Sequence, residues 1–239
     1  MDDVAIPPGP APDPALAAFV RDHTTLAPVP YVPEIRLRTA ARPGTVGAPG
    51  RDGTDSTDGT EGELYELWEL AGRLPFWAYP WAGGQALARH ILDHPELVRG
   101  RTVLDVATGS GLVAVAAALA GAAEVTANDV DPNALAATAL NARANGVSVR
   151  LLPGDLLDRA PGQDVVLAGD VLYERPLAER VIPFLSRPGV ALAGVPDRAC
   201  THLPPGVATR VATYDVPAVL EDTPTKQTAI YRFIRSIDL

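Results

Sequence analysis

Two rhythms of apolar and polar positions alternate along this 239-residue chain. Short runs of mostly apolar residues recur at Val103–Ala107, Glu124–Ala127, Val147–Leu152, Asp164–Ala168 and Val190–Val195. Runs of this length, bounded by Gly, Asp and Asn, predict strands covered on both faces. Between them lie segments with helical character: Leu112 to about Leu119, Pro132 to about Ala144, and Leu177–Leu185, where Pro183 predicts a kink or break. Asp131-Pro132 is a cap followed by proline at the first helical position, and Asn145-Gly146 ends that helix. Val207–Tyr214 and Thr228–Ile234 read as a closing pair of strands. Strands alternating with helices predict an α/β protein with a doubly wound, mostly parallel sheet.

The pattern also divides the chain. Residues 1–14 are acidic and Pro-rich and are expected to be disordered, whereas 15–100 form an N-terminal extension and lid, and 101–239 the main domain. Within the extension, Ala15–Asp22 predicts a short helix, Glu34–Arg38 a β-like segment and Gln85–Asp93 a helix. Residues 43–62 are rich in Gly, Asp and Thr and read as a flexible loop. Glu63–Ala71 reads as a helix offering Leu64, Leu67, Trp68 and Leu70 for packing.

Composition narrows the function classes. A net charge of −9 argues against non-specific binding to nucleic acid or anionic membrane. Cys200 is the only cysteine, so no internal disulfide and no thiolate metal site is expected. The N-terminus lacks a secretion-signal pattern, and the longest apolar run, Leu112–Ala120, is too short to span a bilayer. A cytoplasmic protein is the expectation. His90 and His94 have the spacing of a metal pair but lack the accompanying Glu, and a solvated helix face is the preferred reading. No metal is expected.

The chemistry concentrates between Thr102 and Asp131. An apolar strand, the turn Thr108-Gly109-Ser110-Gly111, a helix and a second strand ending in Asn128-Asp129 make one βαβ unit. Glycines at such a turn let backbone approach a ligand, and an acid at the second strand's tip can accept both hydroxyls of a ribose. The unit is suited to an adenosine. Gly109-x-Gly111-x-x-Ala114 fits a dinucleotide turn, but Asp105 stands inside the first strand, where its carboxylate would repel a pyrophosphate. S-adenosylmethionine (SAM), with a cationic amino acid end and a sulfonium, is preferred over NAD(P). The run Asp105-x-Ala107-x-Gly109-x-Gly111 resembles motif I of the class I SAM-dependent methyltransferases, with Ala107 where the family usually has glycine.

The resemblance extends further. Asp170-x-x-Tyr173 resembles the corresponding element of seven-β-strand lysine methyltransferases. The match is closer still to the lysine methyltransferases of the electron-transfer flavoprotein β-subunit. It is carried by His23-Thr24-Thr25, Pro33–Arg38, Trp81-Ala82-Gly83-Gly84-Gln85-Ala86-Leu87, Asp93-x-Pro95-x-x-Val98-x-Gly100, Val103-Leu104-Asp105 and Ala127–Pro132. The departures are Ala82, where the family tends to have proline, and the 43–62 stretch. The resemblance implies a Rossmann-like class I methyltransferase fold, a seven-stranded mostly parallel sheet with an antiparallel last strand. It also implies methyl transfer from SAM to lysine ε-amines of a protein, with electron-transfer flavoprotein as the expected partner.

Site roles follow from the same analogy. Asp129 would take the ribose hydroxyls, Asp155, with Leu156 beside it, the adenine amino group, and Asp105 the methionine end. Ala107, Gly109 and Gly111 supply the turn, Gly169 its neighbour at the fourth strand's tip, and Trp81 with Gly83 and Gly84 a pocket wall, while Trp77 reads as core. Asp170 and Tyr173 would orient the acceptor amine; a carboxylate does so by charge-assisted hydrogen bonds. The alternatives are a SAM-dependent N-methyltransferase of a ribosomal protein or small amine and, in another class, an NAD(P)-dependent oxidoreductase.

Overall fold

The computed structural model describes residues 12–40, 58–218 and 224–235, with backbone alone for 58–63. The expected disorder of 1–14 falls outside these residues up to position 11. Helix α1 (Pro14–Asp22) begins at the end of that stretch, because the Asp13 carboxylate accepts from the Ala15 and Leu16 N–H groups and Pro14 occupies the first turn.

A hairpin follows, β1 (Thr25–Val29) and β2 (Val32–Thr39), longer than the β-like segment expected at 34–38. Pro28, Pro30 and Pro33 hide it from a sequence reading, since proline cannot donate to a ladder. The outer edge of β2 is closed by side chains. Asn145 accepts from the Arg36 N–H at 2.9 Å and donates to the Arg36 carbonyl at 2.7 Å, and Asn141 accepts from the Arg38 N–H at 2.8 Å.

Helix α2 (Asp58–Ala71) takes in the last five residues of the stretch expected to be a loop, whose remainder, 43–57, lies outside the described residues. Gly59 and Gly62 lower its intrinsic helix propensity, and buried Leu67 anchors it. Helix α3 (Ala82–Asp93) begins three residues before the expected Gln85, so Gly83 and Gly84 are helical.

The main sheet is built from β3 (Thr102–Val106), β4 (Glu124–Asp129), β5 (Arg150–Pro153), β6 (Val165–Ala168), β7 (Val190–Pro196), β8 (Ala208–Pro217) and β9 (Thr225–Phe233). The strand order is β5-β4-β3-β6-β7-β9-β8, and β9 runs antiparallel to both neighbours. Helices α4 (Leu112–Leu119), α5 (Pro132–Ala144) and α6 (Arg175–Leu185) make the crossovers; α6 runs through Pro183, which lies in its last turn.

Alternate residues of the central strands enter different cores. Val103, Val165 and Leu167 face α3 and α4, whereas Leu104, Val166 and Ala168 face α6. This two-sided burial explains the continuous apolar runs. Ile35 and Leu37 of the hairpin and Leu87 and Ile91 of α3 share the first core with the sheet, so packing continues across the boundary expected at residue 100. At one point α3 touches β7 backbone to backbone. A Cβ at Gly83 would lie 2.4 Å from the Gly194 carbonyl oxygen, and one at Gly194 1.9 Å from that of Gly83.

Candidate active site

The chain leaves β3 toward β4 on one side and β6 on the other. This is the switch point where open α/β sheets form a crevice beyond the strand ends. A cavity of about 890 Å³ lies there. Its floor is the β3–α4 turn, its far side the tips of β4, β5 and β6, and its near wall Phe76, Trp77, Tyr79, Trp81 and Gly84.

The turn is held from within. Gly109 and Gly111 have positive φ, and so does Ala107, at 51°, where a side chain is strained. Asp105 is buried, and its Oδ2 accepts from Thr108 Oγ1 at 2.5 Å and from the Ala114 N–H at 3.1 Å. Burial pushes the Asp105 carboxyl up to about 7. Asp129 Oδ2 accepts from the Gly109 N–H and Oδ1 from the Asp131 N–H, both at 2.9 Å. Burial raises its pKa too. Asp131 caps α5 through the Asn133 N–H, as expected.

These bonds bear on the ligand. The N–H groups of Thr108, Gly109, Gly111 and Ala114 are given to Asn128, Asp129, Thr108 and Asp105 respectively. A pyrophosphate needs such donors; this turn spends them internally and presents two carboxylates instead. The donor set suits an adenosine with a cationic tail, so SAM fits it better than a dinucleotide.

The other expected residues divide into two groups. Ala107, Gly109, Asp129, Asp155, Leu156, Gly169, Trp81, Asp105, Asp170 and Tyr173 all line the cavity. Gly83 and Gly111 stand behind the lining. Gly83 lets α3 meet β7, and its N–H donates to Asp170 Oδ2 at 3.3 Å. Gly111 keeps φ at 81° and leaves room for Thr138, whose atoms would lie 2.9 Å from an added Cβ. Asp155 accepts from the Leu157 N–H and pairs with Arg180 at 2.9 Å; these bonds hold it below the usual carboxylate range. Trp81 is fixed by its Nε1 donating to the Phe76 carbonyl at 2.8 Å, and its ring lies 5.0 Å from that of Tyr79. Trp77 is core, as expected, but it also reaches the cavity.

Asp170 sits at the tip of β6, and Tyr173 packs its ring 5.6 Å from that of Phe76. Burial, then the nearby acids Glu174, Asp170 and Asp129, raise the Tyr173 pKa, so it stays a protonated donor. Arg198, absent from the sequence reading, also lines the cavity, with Nη2 3.4 Å from Asp170 Oδ2. Only the adjacency of β6 and β7 brings it there; nothing in the local sequence marks it.

His90 does not lie on a solvated helix face. It is buried against the closing strands, with Nδ1 2.9 Å from the Tyr214 hydroxyl. Among the described residues no group of three or more His, Cys, Asp or Glu side chains could hold a metal. No described helix is long and apolar enough to cross a membrane.

A family model described as ribosomal protein L11 methyltransferase matches residues 87–191. The electron transfer flavoprotein beta subunit lysine methyltransferase of Rattus norvegicus is 44% identical over 107 residues, covering 44% of this chain and 42% of that protein. The Xenopus laevis protein of the same description is 36% identical over 172 residues, covering 71% and 63%. The ribosomal protein L11 methyltransferase of Methylococcus capsulatus is 44% identical over 117 residues, covering 46% and 38%. The seven-stranded, mostly parallel sheet with β9 antiparallel is the α/β architecture expected from the sequence. The fold is the class I methyltransferase fold. The matched region spans less than half the length of the rat protein. Among solved structures, TrmN from Thermus thermophilus aligns at 25% identity over 69% of this chain and 53% of its own, with a TM-score of 0.48.

Proposed function

We propose that the chain is a SAM-dependent protein-lysine N-methyltransferase acting on the β-subunit of electron-transfer flavoprotein. The observation that carries the reading is the pairing, in one cavity, of the carboxylate-braced turn with Asp170 and Tyr173 at the next strand tip. The sequence similarity to lysine methyltransferases of that substrate supports it.

Bound there, SAM supplies a methyl group on sulfonium; the carbon–sulfur bond breaks with its electron pair on sulfur as an amine lone pair makes the new carbon–nitrogen bond. The protein contributes position and electrostatics. Asp129 would hold the ribose, Asp155 and Leu156 would border the adenine, and Asp105 braces the turn beneath the amino acid end. Trp81 and Gly84 shape the wall. Asp170 orients the incoming lysine by a charge-assisted hydrogen bond, and Tyr173 with Phe76 encloses its aliphatic stem. Alignment of donor and acceptor supplies most of the acceleration in such displacements. We place the protein in the cytoplasm, acting on a protein and not on nucleic acid, in keeping with its net charge of −9.

The test is the intact mass of purified electron-transfer flavoprotein incubated with enzyme and SAM, beside an Asp170→Asn control and a ribosomal protein L11 arm. Increments of one, two or three methyl groups on the β-subunit, lost in the control, support the reading. Methylation of L11 alone would transfer the activity to the substrate named in the matching family description.

A further inference from the structure

The acceptor carboxylate already holds a cation. Arg198 lies in the turn of 3-10 helix over Asp197–His202 that follows β7, and its guanidinium reaches Asp170 Oδ2 at 3.4 Å. That turn is tied to the Asp170 loop from its other end, since His202 Nδ1 lies 2.6 Å from the Leu172 carbonyl. Asp170 is almost wholly buried while the Arg198 side chain is about one-third exposed, so the guanidinium approaches from the cavity's open side. Arg198 and Asp170 both line the cavity.

Charge at this point decides which form of lysine is held. An ammonium cannot attack, because its lone pair is on the proton, and the free side chain is protonated up to a pKa of about 10.4. A buried carboxylate alone would favour that unreactive form, since an opposite charge within about 4–6 Å stabilises the charged state. The acidic and phenolic groups around the place are Tyr173 and Glu174 on the β6–α6 loop and Asp129 at β4. The first turn of helix α3 gives Asp170 the Gly83 N–H, and the Trp81 ring just before the helix lines the same cavity. The cavity's other lining arginines, Arg73 and Arg180, are paired with Asp131 and Asp155, whereas Arg198 is the cation set against Asp170.

We infer that Arg198 is a positioning residue that neutralises Asp170, so that the acceptor site takes lysine as the free amine and rejects the ammonium. This deepens the proposed function and rests on it. The ammonium gives its proton to water at the cavity mouth before the amine enters. Asp170 then orients the amine by accepting one of its N–H groups.

The experiment compares wild type with Arg198→Gln and Arg198→Lys, and with Arg198→Met should the glutamine variant fail to fold. The first readout needs no turnover: n-butylammonium is titrated into each protein at pH 7 by calorimetry, with Asp170→Asn beside them. Loss of the guanidinium is expected to tighten butylammonium binding at least fivefold, and lysine at this position to return it toward the wild-type value. The second readout is the pH profile of kcat for β-subunit methylation. Its alkaline rise should move up by about one pH unit in Arg198→Gln while KM falls. Unchanged butylammonium affinity and an unmoved profile, with binding still dependent on Asp170, would overturn the role of Arg198 and leave the acceptor site standing. Binding indifferent to Asp170→Asn would overturn the acceptor site, and the role of Arg198 with it.

Discussion

At Ala107 the chain holds a left-handed backbone, φ 51°, with a Cβ in place. That conformation costs an L-residue about 1–2 kcal/mol, partly offset in a glycine variant by the greater freedom of its unfolded chain. Ala107→Gly is therefore expected to stabilise the protein by up to about 1 kcal/mol, read as a higher urea midpoint at unchanged slope. Asp105 makes the opposite kind of claim. Its carboxyl is neutral in both folded and unfolded chains below about pH 4, but in the folded chain it keeps its proton to about 7. Unfolding then releases a proton between these values, so stability falls as pH rises through the window and levels off above it. Relative to Asp105→Asn, the wild type should lose about 4 kcal/mol at most from pH 4 to 7.5. Parallel stability curves for the two proteins would contradict this.

Helices and strands are placed here by backbone proximity as much as by side chains. Gly83 and Gly194 let α3 lie against β7, and Asp170 sits at the same junction, its Cβ 2.9 Å from where a Gly83 Cβ would be. Gly83→Ala should cost about 1–3 kcal/mol and lower methylation, whereas Gly84→Ala, whose Cβ meets only Leu112 at 3.9 Å, should be tolerated. Thermal melts of the pair decide it. These contacts show what the sequence could and could not disclose. The central strands were legible because both faces are buried, and α5 because Asp131-Pro132 announces its start. The β1–β2 hairpin was not, since its prolines speak against a strand while asparagines of α5, more than a hundred positions away, satisfy its edge. The helix was expected to start only at Gln85, after Gly83-Gly84, because local propensity knows nothing of the backbone these glycines must approach. Acids at the strand tips could be named from sequence, because each follows an apolar run. Arg198 could not, since only the pairing of β6 with β7 sets it beside Asp170. His90 was misread because the closing strands that bury it come more than a hundred residues later.

Over the whole molecule the charge is −9, and Asp129, Asp131, Asp155 and Glu174 gather at the cavity. Such a field draws a lysine-bearing surface and is screened within about 8 Å at physiological ionic strength. Raising sodium chloride from 50 to 300 mM should therefore increase KM for the protein substrate severalfold and leave that for SAM within about twofold. Equal changes in both would remove long-range attraction from the account. Every role assigned to the site presupposes that the cavity binds SAM, so calorimetric titration of the purified protein with SAM, and separately with NAD, is the most direct measurement. The account predicts one SAM per chain, binding weakened at least tenfold in a folded Asp129→Ala variant, and no heat with NAD. A folded protein that takes NAD but not SAM would contradict it.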